Sequence, residues 1–139
     1  MTIRYLLDTN VLSEAIKSHP NEKTLELLAV HDGDLATCSV VWHELSYGAG
    51  RLAASKKRRA IEAYLEEAVR STLPILPYDQ EAATWHAKER ARLSKSGRSP
   101  SAADGQIAAI AHVNDLIVVT ANAKDFRRFK DLHVEDWSR

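Results

Sequence analysis

Leu116-Ile117-Val118-Val119-Thr120 is the run that decides the fold. An unbroken row of branched apolar side chains reads as a strand buried on both faces, which is how strands of a parallel sheet look. Upstream of it, Ser101 opens a helix carrying Ile107, Ala108, Ile110 and Ala111. Before that, Ile75-Leu76-Pro77-Tyr78 reads as a short strand whose proline suits a sheet edge or a strand end. Asp79 caps a helix to about Ser96, which Gly97 stops, and Ser94–Ser101 is expected as a mobile loop. Downstream come a loop, a short helix near Asp125-Phe126 and a last short strand near His133-Val134.

The other half of the chain alternates in the same way. Residues 3–7 read as a strand ending at Asp8-Thr9-Asn10, followed by a short helix with Val11, Leu12 and Ile16, broken near His19-Pro20. A helix after Asn21 places Leu25, Leu28 and Ala29 on one face. Leu35-Ala36-Thr37-Cys38 reads as a strand, with Ser39 as cap for a helix over about 40–49. Residues 52–70 read as one amphipathic helix with a basic start. Strands alternating with helices predict an α/β fold with a mostly parallel sheet covered on both faces. Active sites of such sheets lie at the carboxyl ends of the strands, where strand order reverses.

A chain of 139 residues is expected as a single domain, residues 1–139. Its 45% apolar and 27% charged residues are ordinary for a folded protein and exclude a disordered or fibrous one. Cys38 has no second cysteine to pair with, so a reducing, cytoplasmic location fits. Asp8 cuts off the apolar run at residues 5–7, so no signal peptide is visible. No stretch approaches the roughly 18 apolar residues of a membrane span. Net charge is zero but uneven: residues 1–50 hold three Lys/Arg against seven Asp/Glu, and the remainder is basic. Basic clusters stand at Lys56-Lys57-Arg58-Arg59, along Lys88, Arg90, Arg92, Lys95 and Arg98, and at Arg127, Arg128 and Lys130. They suit either solvated helix faces or contacts to a phosphate backbone.

Five positions carry the chemistry. Asp8 lies just past the first strand, and Asn122 and Asp125 just past the strand ending at Thr120. Glu44 and Asp104 lie in helices that start from the same edge. Each has an ordinary use: Asp8 as a helix cap, Glu44 as a surface acid, Asn122 as a turn residue and Asp125 as a cap. Ser101-Ala102-Ala103-Asp104 has the form of a capping box. Together, however, a parallel sheet gathers them at one rim. Carboxylates crowded there repel and shift their pKa values upward. A hard divalent cation relieves that repulsion, and Mg²⁺, with Mn²⁺ as substitute, suits oxygen ligands. Such an ion lowers the pKa of bound water and orients a phosphodiester, which gives hydrolysis by in-line attack of water.

These same residues resemble PIN-domain proteins, most of all the VapC toxins and the FitB-type proteins of bacterial toxin–antitoxin pairs. Leu7-Asp8-Thr9-Asn10-Val11-Leu12 is similar to the family's opening, where the aspartate is a metal ligand. Ser39-Val40-Val41-Trp42-His43-Glu44-Leu45 resembles the segment carrying the second acid, and Ser101–Ala109 the segment carrying the third. Val119-Thr120-Ala121-Asn122-Ala123-Lys124-Asp125-Phe126 resembles the run near the family's end. The resemblance implies a three-layer α/β/α fold with roughly five strands, a homodimer, RNA cleavage and silencing by a VapB-like antitoxin. It implies metal ligation by Asp8, Glu44 and Asp104, with Asn122 or Asp125 completing the catalytic site. The chain departs from the family in having Ser101 where proline is frequent, Ala121 where arginine is usual, and Asn122 where many members carry an acid.

Other chemistries fit less well. His43-Glu44-Leu45-Ser46-Tyr47 misses the zinc-protease motif because Tyr47 replaces its second histidine. The six histidines show no ligand spacing, and no glycine-rich phosphate loop occurs. An aspartate-based phosphatase wants a second aspartate two residues after the first, and Asn10 stands there. A metal-binding or RNA-binding module without turnover is the remaining alternative. The helices at 40–49 and 52–70 carry Trp42, Tyr47, Leu52, Tyr64 and Leu65, more apolar surface than one small sheet needs, which suits a dimer contact.

Overall fold

In the computed structural model, which describes residues 2–139, the first strand β1 is Tyr5–Leu7 and the fourth, β4, is Ile117–Val119. They pair in parallel at the centre of the sheet. The chain moves outward from β1 to β2 (Leu35–Cys38) and then to β3 (Ile75–Leu76) at one edge. It then returns to β4 and continues to β5 (Val134–Glu135) at the other edge. The order β3-β2-β1-β4-β5 therefore reverses between β1 and β4, which opens a crevice at their carboxyl ends. Pro77 follows an edge strand, as expected.

The connections are helical and make the outer layers of a three-layer α/β/α fold. They are α1 (Thr9–Glu14), α2 (Glu22–Val30), α3 (Ser39–Gly50), α4 (Lys56–Tyr64), α5 (Gln80–Lys95), α6 (Ala102–Val113) and α7 (Ala123–Phe126). Between the layers, Leu6, Leu7, Val118, Val119, Ile107, Ile110 and Phe126 are fully buried. Each such side chain contributes about 1.5–3 kcal/mol by leaving water. Asp115, with φ of 60°, turns the chain out of α6 and into β4. Among the described residues no helix is long and apolar enough to cross a membrane.

Several local expectations need correction. Ser39 is the first residue of α3 rather than its cap, because β2 runs directly into the helix and extended Cys38 occupies the cap position. The helix expected over 52–70 starts at Lys56, where the Ser55 hydroxyl accepts from the Arg58 N–H at 3.1 Å. The preceding turn is held by the Arg58 guanidinium on the Leu52 carbonyl at 2.8 Å. From Leu65 to Arg70 the helix continues with π-type spacing. On α2, Thr24 is buried and Leu27 and Leu28 pack on the core, while Ala29 is exposed. The cause is the C-terminal segment, whose Trp137 carbonyl accepts from the Thr24 hydroxyl at 3.3 Å. Asp125 lies inside α7, and Asn122 holds its cap position. Leu65 belongs to the core and the Tyr64 hydroxyl donates to the Leu12 carbonyl at 2.7 Å, so less apolar surface is free there than expected. Tyr47 remains exposed.

Candidate metal centre

Asp8 is the residue at which β1 ends and α1 begins. Its own N–H donates to the Val119 carbonyl at 3.0 Å, so its backbone is fixed to β4. Its carboxylate accepts from the Thr9 N–H at 2.7 Å and from the Asn10 amide at 3.3 Å. The hydroxyl of Thr120, at the end of β4, donates to it at 2.8 Å. Asn10 closes the loop by accepting from the Ala121 N–H at 3.1 Å, and the Asn122 N–H donates to Thr120 Oγ1 at 3.0 Å. The crevice between the two central strands is thus stitched by side chains from both.

Glu44 reaches this crevice from α3, and Asp104 from the first turn of α6. Asp104 is placed there by its helix start: its N–H donates to the capping Ser101 hydroxyl at 3.1 Å. Asp8, Glu44, Asp104 and Asn122 line one cavity of about 360 Å³, together with Thr9, Asn10, Ser13 and Lys17. The Lys17 ammonium is engaged by Glu14 at 2.8 Å. Asp125 stands outside the cavity lining; it is half-exposed and 3.5 Å from an Arg128 nitrogen. Of the two residues proposed from sequence to complete the site, Asn122 faces the cavity.

All three cavity acids are held above the usual carboxylate range. For Asp8 the cause is burial, which outweighs its three hydrogen-bond donors. For Glu44 burial leads, followed by the charges of Asp8 and Asp104. For Asp104 burial again leads, then the charge of Asp8, with the Ser101 hydroxyl acting the other way. Mutual repulsion, the cause the sequence pointed to, is therefore real but second to desolvation. Cys38, buried beside these acids, has its thiol pushed up to about 11, chiefly by burial, and is no nucleophile.

The donors suit a hard divalent cation. They are oxygen donors with surplus negative charge, and Thr9 Oγ1 is buried there without a hydrogen-bond partner. That hydroxyl lies near enough to Glu44 to favour its ionised form slightly without completing a bond. As the side chains stand, no three His, Cys, Asp or Glu groups among the described residues close tightly on one point. Mg²⁺ keeps several waters and binds through one or two carboxylates, so a loose acidic hollow fits it better than a closed cage. Sequence reasoning gave Thr120 no role at the site and read Asn10 only as one of a run of cap-type residues. A lone polar residue ending the most apolar strand, next to the acids, was the available signal.

The family model for the PIN domain matches residues 5–132. The chain belongs to the PIN-domain family. It is 34% identical over 137 residues to the tRNA(fMet)-specific endonuclease VapC of Shigella flexneri, covering 98% of this chain and 99% of that one. It is 35% identical over 126 residues to the toxin FitB of Neisseria gonorrhoeae, covering 87% and 89%. Among solved structures, FitAB bound to an IR36 DNA fragment superposes with a TM-score of 0.90 at 29% identity, covering 97% of this chain and 96% of that one. DNA-bound VapBC from Salmonella typhimurium gives 0.85 at 32% identity, covering 97% and 98%. This PIN domain therefore matches VapC over nearly its whole extent and the toxin FitB over most of it.

Proposed function

We propose that this PIN domain, taken as one unit over residues 1–139, is a metal-dependent endoribonuclease and the toxin of a VapBC-type toxin–antitoxin pair. The observation that carries the reading is the convergence of Asp8, Glu44 and Asp104 on one cavity at the strand-order reversal. The names of the relatives, an endonuclease acting on a tRNA and a toxin, support it. Asp8, Glu44 and Asp104 would hold Mg²⁺, or Mn²⁺ in its place, with the Asn122 amide at the rim. Bound there, the cation supplies activation of water and neutralisation of charge on the phosphodiester. Thr120 and Asn10 fix the Asp8 carboxylate, and Asn122 offers an amide donor to a phosphate oxygen. The overall change is addition of water across one P–O3′ bond, which leaves 5′-phosphate and 3′-hydroxyl ends.

Partners follow from the same reading. A VapB-like antitoxin would silence the enzyme by setting a cationic side chain among the three acids, competing with the metal. The structural neighbours captured as toxin–antitoxin assemblies support this choice. A homodimer, in the bacterial cytoplasm, would cover exposed Tyr47 on α3. Sedimentation at micromolar concentration tests the dimer. The test of the function is cleavage of RNA by the purified protein in Mg²⁺, lost in Asp8→Asn. RNA binding without cleavage would favour the non-catalytic module instead.

A further inference from the structure

Four cationic side chains, Arg98, Lys124, Arg127 and Arg128, line with Gly97 a hollow of about 530 Å³. Two chain segments make it, and each is joined in sequence to a residue that lines the acidic cavity. One is the loop that begins at Gly97, with φ of 72°, and runs to Ser101 and Asp104. The other is α7, which begins directly after Asn122. The hollow is therefore next to the acids along the chain at both of its walls.

Its charge is unbalanced. Arg128 is 3.5 Å from Asp125, but Arg98, Lys124 and Arg127 are exposed and form no ion pair among the described residues. The backbone behind them is braced. Buried Glu89 grips the Arg92 guanidinium with two bonds of 2.8 Å and accepts from the Lys130 N–H at 2.7 Å. Arg92 in turn donates to the Arg128 carbonyl at 3.0 Å. A neighbouring cation is thus neutralised and used as a strut, while three others are left without a counter-charge on a fixed frame. Like charges gathered this way repel unless a polyanion lies among them. No apolar side chain lines the hollow, so it offers nothing to a peptide's hydrophobic residues. Phosphate contacts need only charge and reach.

We propose that this hollow seats the phosphodiester backbone of single-stranded RNA flanking the bond to be cleaved, with Arg98, Lys124 and Arg127 as its contacts. This rests on the ribonuclease reading, but its binding test stands apart from turnover. Labelled single-stranded RNA is titrated with the Asp8→Asn protein, which keeps RNA intact, across a series of KCl concentrations. The same titration is made with Arg98→Gln, Lys124→Gln and Arg127→Gln added together. A control removes equal charge elsewhere through Lys23→Gln, Arg70→Gln and Arg139→Gln. All six positions are exposed, and circular dichroism checks that the fold persists.

Loss of three phosphate contacts flattens the slope of log affinity against log salt by about 2. Affinity at low salt falls on the order of tenfold or more, and the control keeps the parent's slope. In proteins that retain Asp8, the loss falls on KM and not on kcat. An unchanged slope and affinity in the hollow variant would overturn the proposal. So would RNA binding left intact while binding of an acidic antitoxin segment is lost, since the hollow would then serve a protein. A parent protein that binds RNA but never cleaves it contradicts the ribonuclease reading and leaves the hollow's role to be decided by the slopes.

Discussion

The Thr120 hydroxyl donates to Asp8 Oδ2 at 2.8 Å across a sequence separation of 112 residues, joining the ends of the two central strands. Thr120 is fully buried, and its oxygen also accepts from the Asn122 N–H, so one hydroxyl orients both an acid and the residue at the cavity rim. Thr120→Val keeps the shape and removes these two bonds, together with a third that the Asn10 amide donates to the same oxygen at 3.4 Å. It should cost about 1–3 kcal/mol of stability, the usual range for a buried hydrogen bond to a charged group. It should also raise the Asp8 pKa further, because a donor that favours the ionised form is gone. Denaturant unfolding reads the first effect. The acid limb of the cleavage rate, moved to higher pH, reads the second.

Stability without metal should depend on pH in an unusual direction. Asp8, Glu44 and Asp104 have folded pKa values above their ordinary ones, so the fold tolerates their neutral forms better. That contribution is complete below the unfolded carboxylate pKa and is lost as pH rises through the folded values. Glu89 acts in the opposite sense: Arg92 holds its pKa down, so its contribution is lost only as pH falls below the ordinary value of 4.5. The three acids should therefore contribute more stability to the metal-free protein as pH falls from above their folded pKa values into the ordinary carboxylate range. His86, held below its usual 6.5 by burial, contributes less as pH falls, so the acids' share is read as the gain that the parent shows over Asp8→Asn. Added Mg²⁺ should stabilise more at neutral than at acid pH, since its ligands must be ionised. Melting temperatures in chelator and in Mg²⁺, taken across pH, decide the matter.

Much of this was legible in the sequence because strand burial and helix starts leave local marks. The apolar run 116–120 announced a parallel sheet, and Asp8, Glu44 and Asp104 could be assigned to one rim from strand ends and helix starts alone. What could not be read depends on contacts between distant residues. Nothing near Thr24 says that Trp137 will cover it, and nothing near Leu65 separates core from free surface. Ser39 carried a cap signal that failed because no loop separates β2 from α3. Asn122 and Asp125 were indistinguishable in sequence, and only the turn into α7 decides which of them faces the cavity.

Gly105 marks a close packing that sequence gave no reason to notice. A Cβ at this position would collide with the imidazole of His86, whose Nδ1 lies 2.8 Å from the Tyr78 hydroxyl. The ring fills the space between α5 and α6 beside Asp104. Gly105→Ala should cost about 1–3 kcal/mol by overpacking. Adding His86→Ala should recover part of that loss, and strictly additive losses in the double variant would show that the collision is not the cause.

Asp104 serves a helix start and, by the proposal, a metal. The two roles separate cleanly. Ser101→Ala removes the cap and should cost about 1 kcal/mol with cleavage largely kept. Asp104→Asn should abolish cleavage while leaving stability unchanged or raised, since a buried charge above its ordinary pKa is removed. Near-parental cleavage by Asp104→Asn would leave it a capping-turn residue only.

End-labelled RNA incubated with the purified protein in Mg²⁺, in excess chelator, and with Asp8→Asn bears most directly on the acidic cavity. Cleavage in Mg²⁺, none in chelator, restoration by Mg²⁺ or Mn²⁺, and none at all by Asp8→Asn is the expected result, with 5′-phosphate and 3′-hydroxyl ends on the products. Cleavage undiminished by chelator would contradict the metal's role, and products ending in a 2′,3′-cyclic phosphate would contradict attack by water, because the RNA's own 2′-hydroxyl would then be the attacking group.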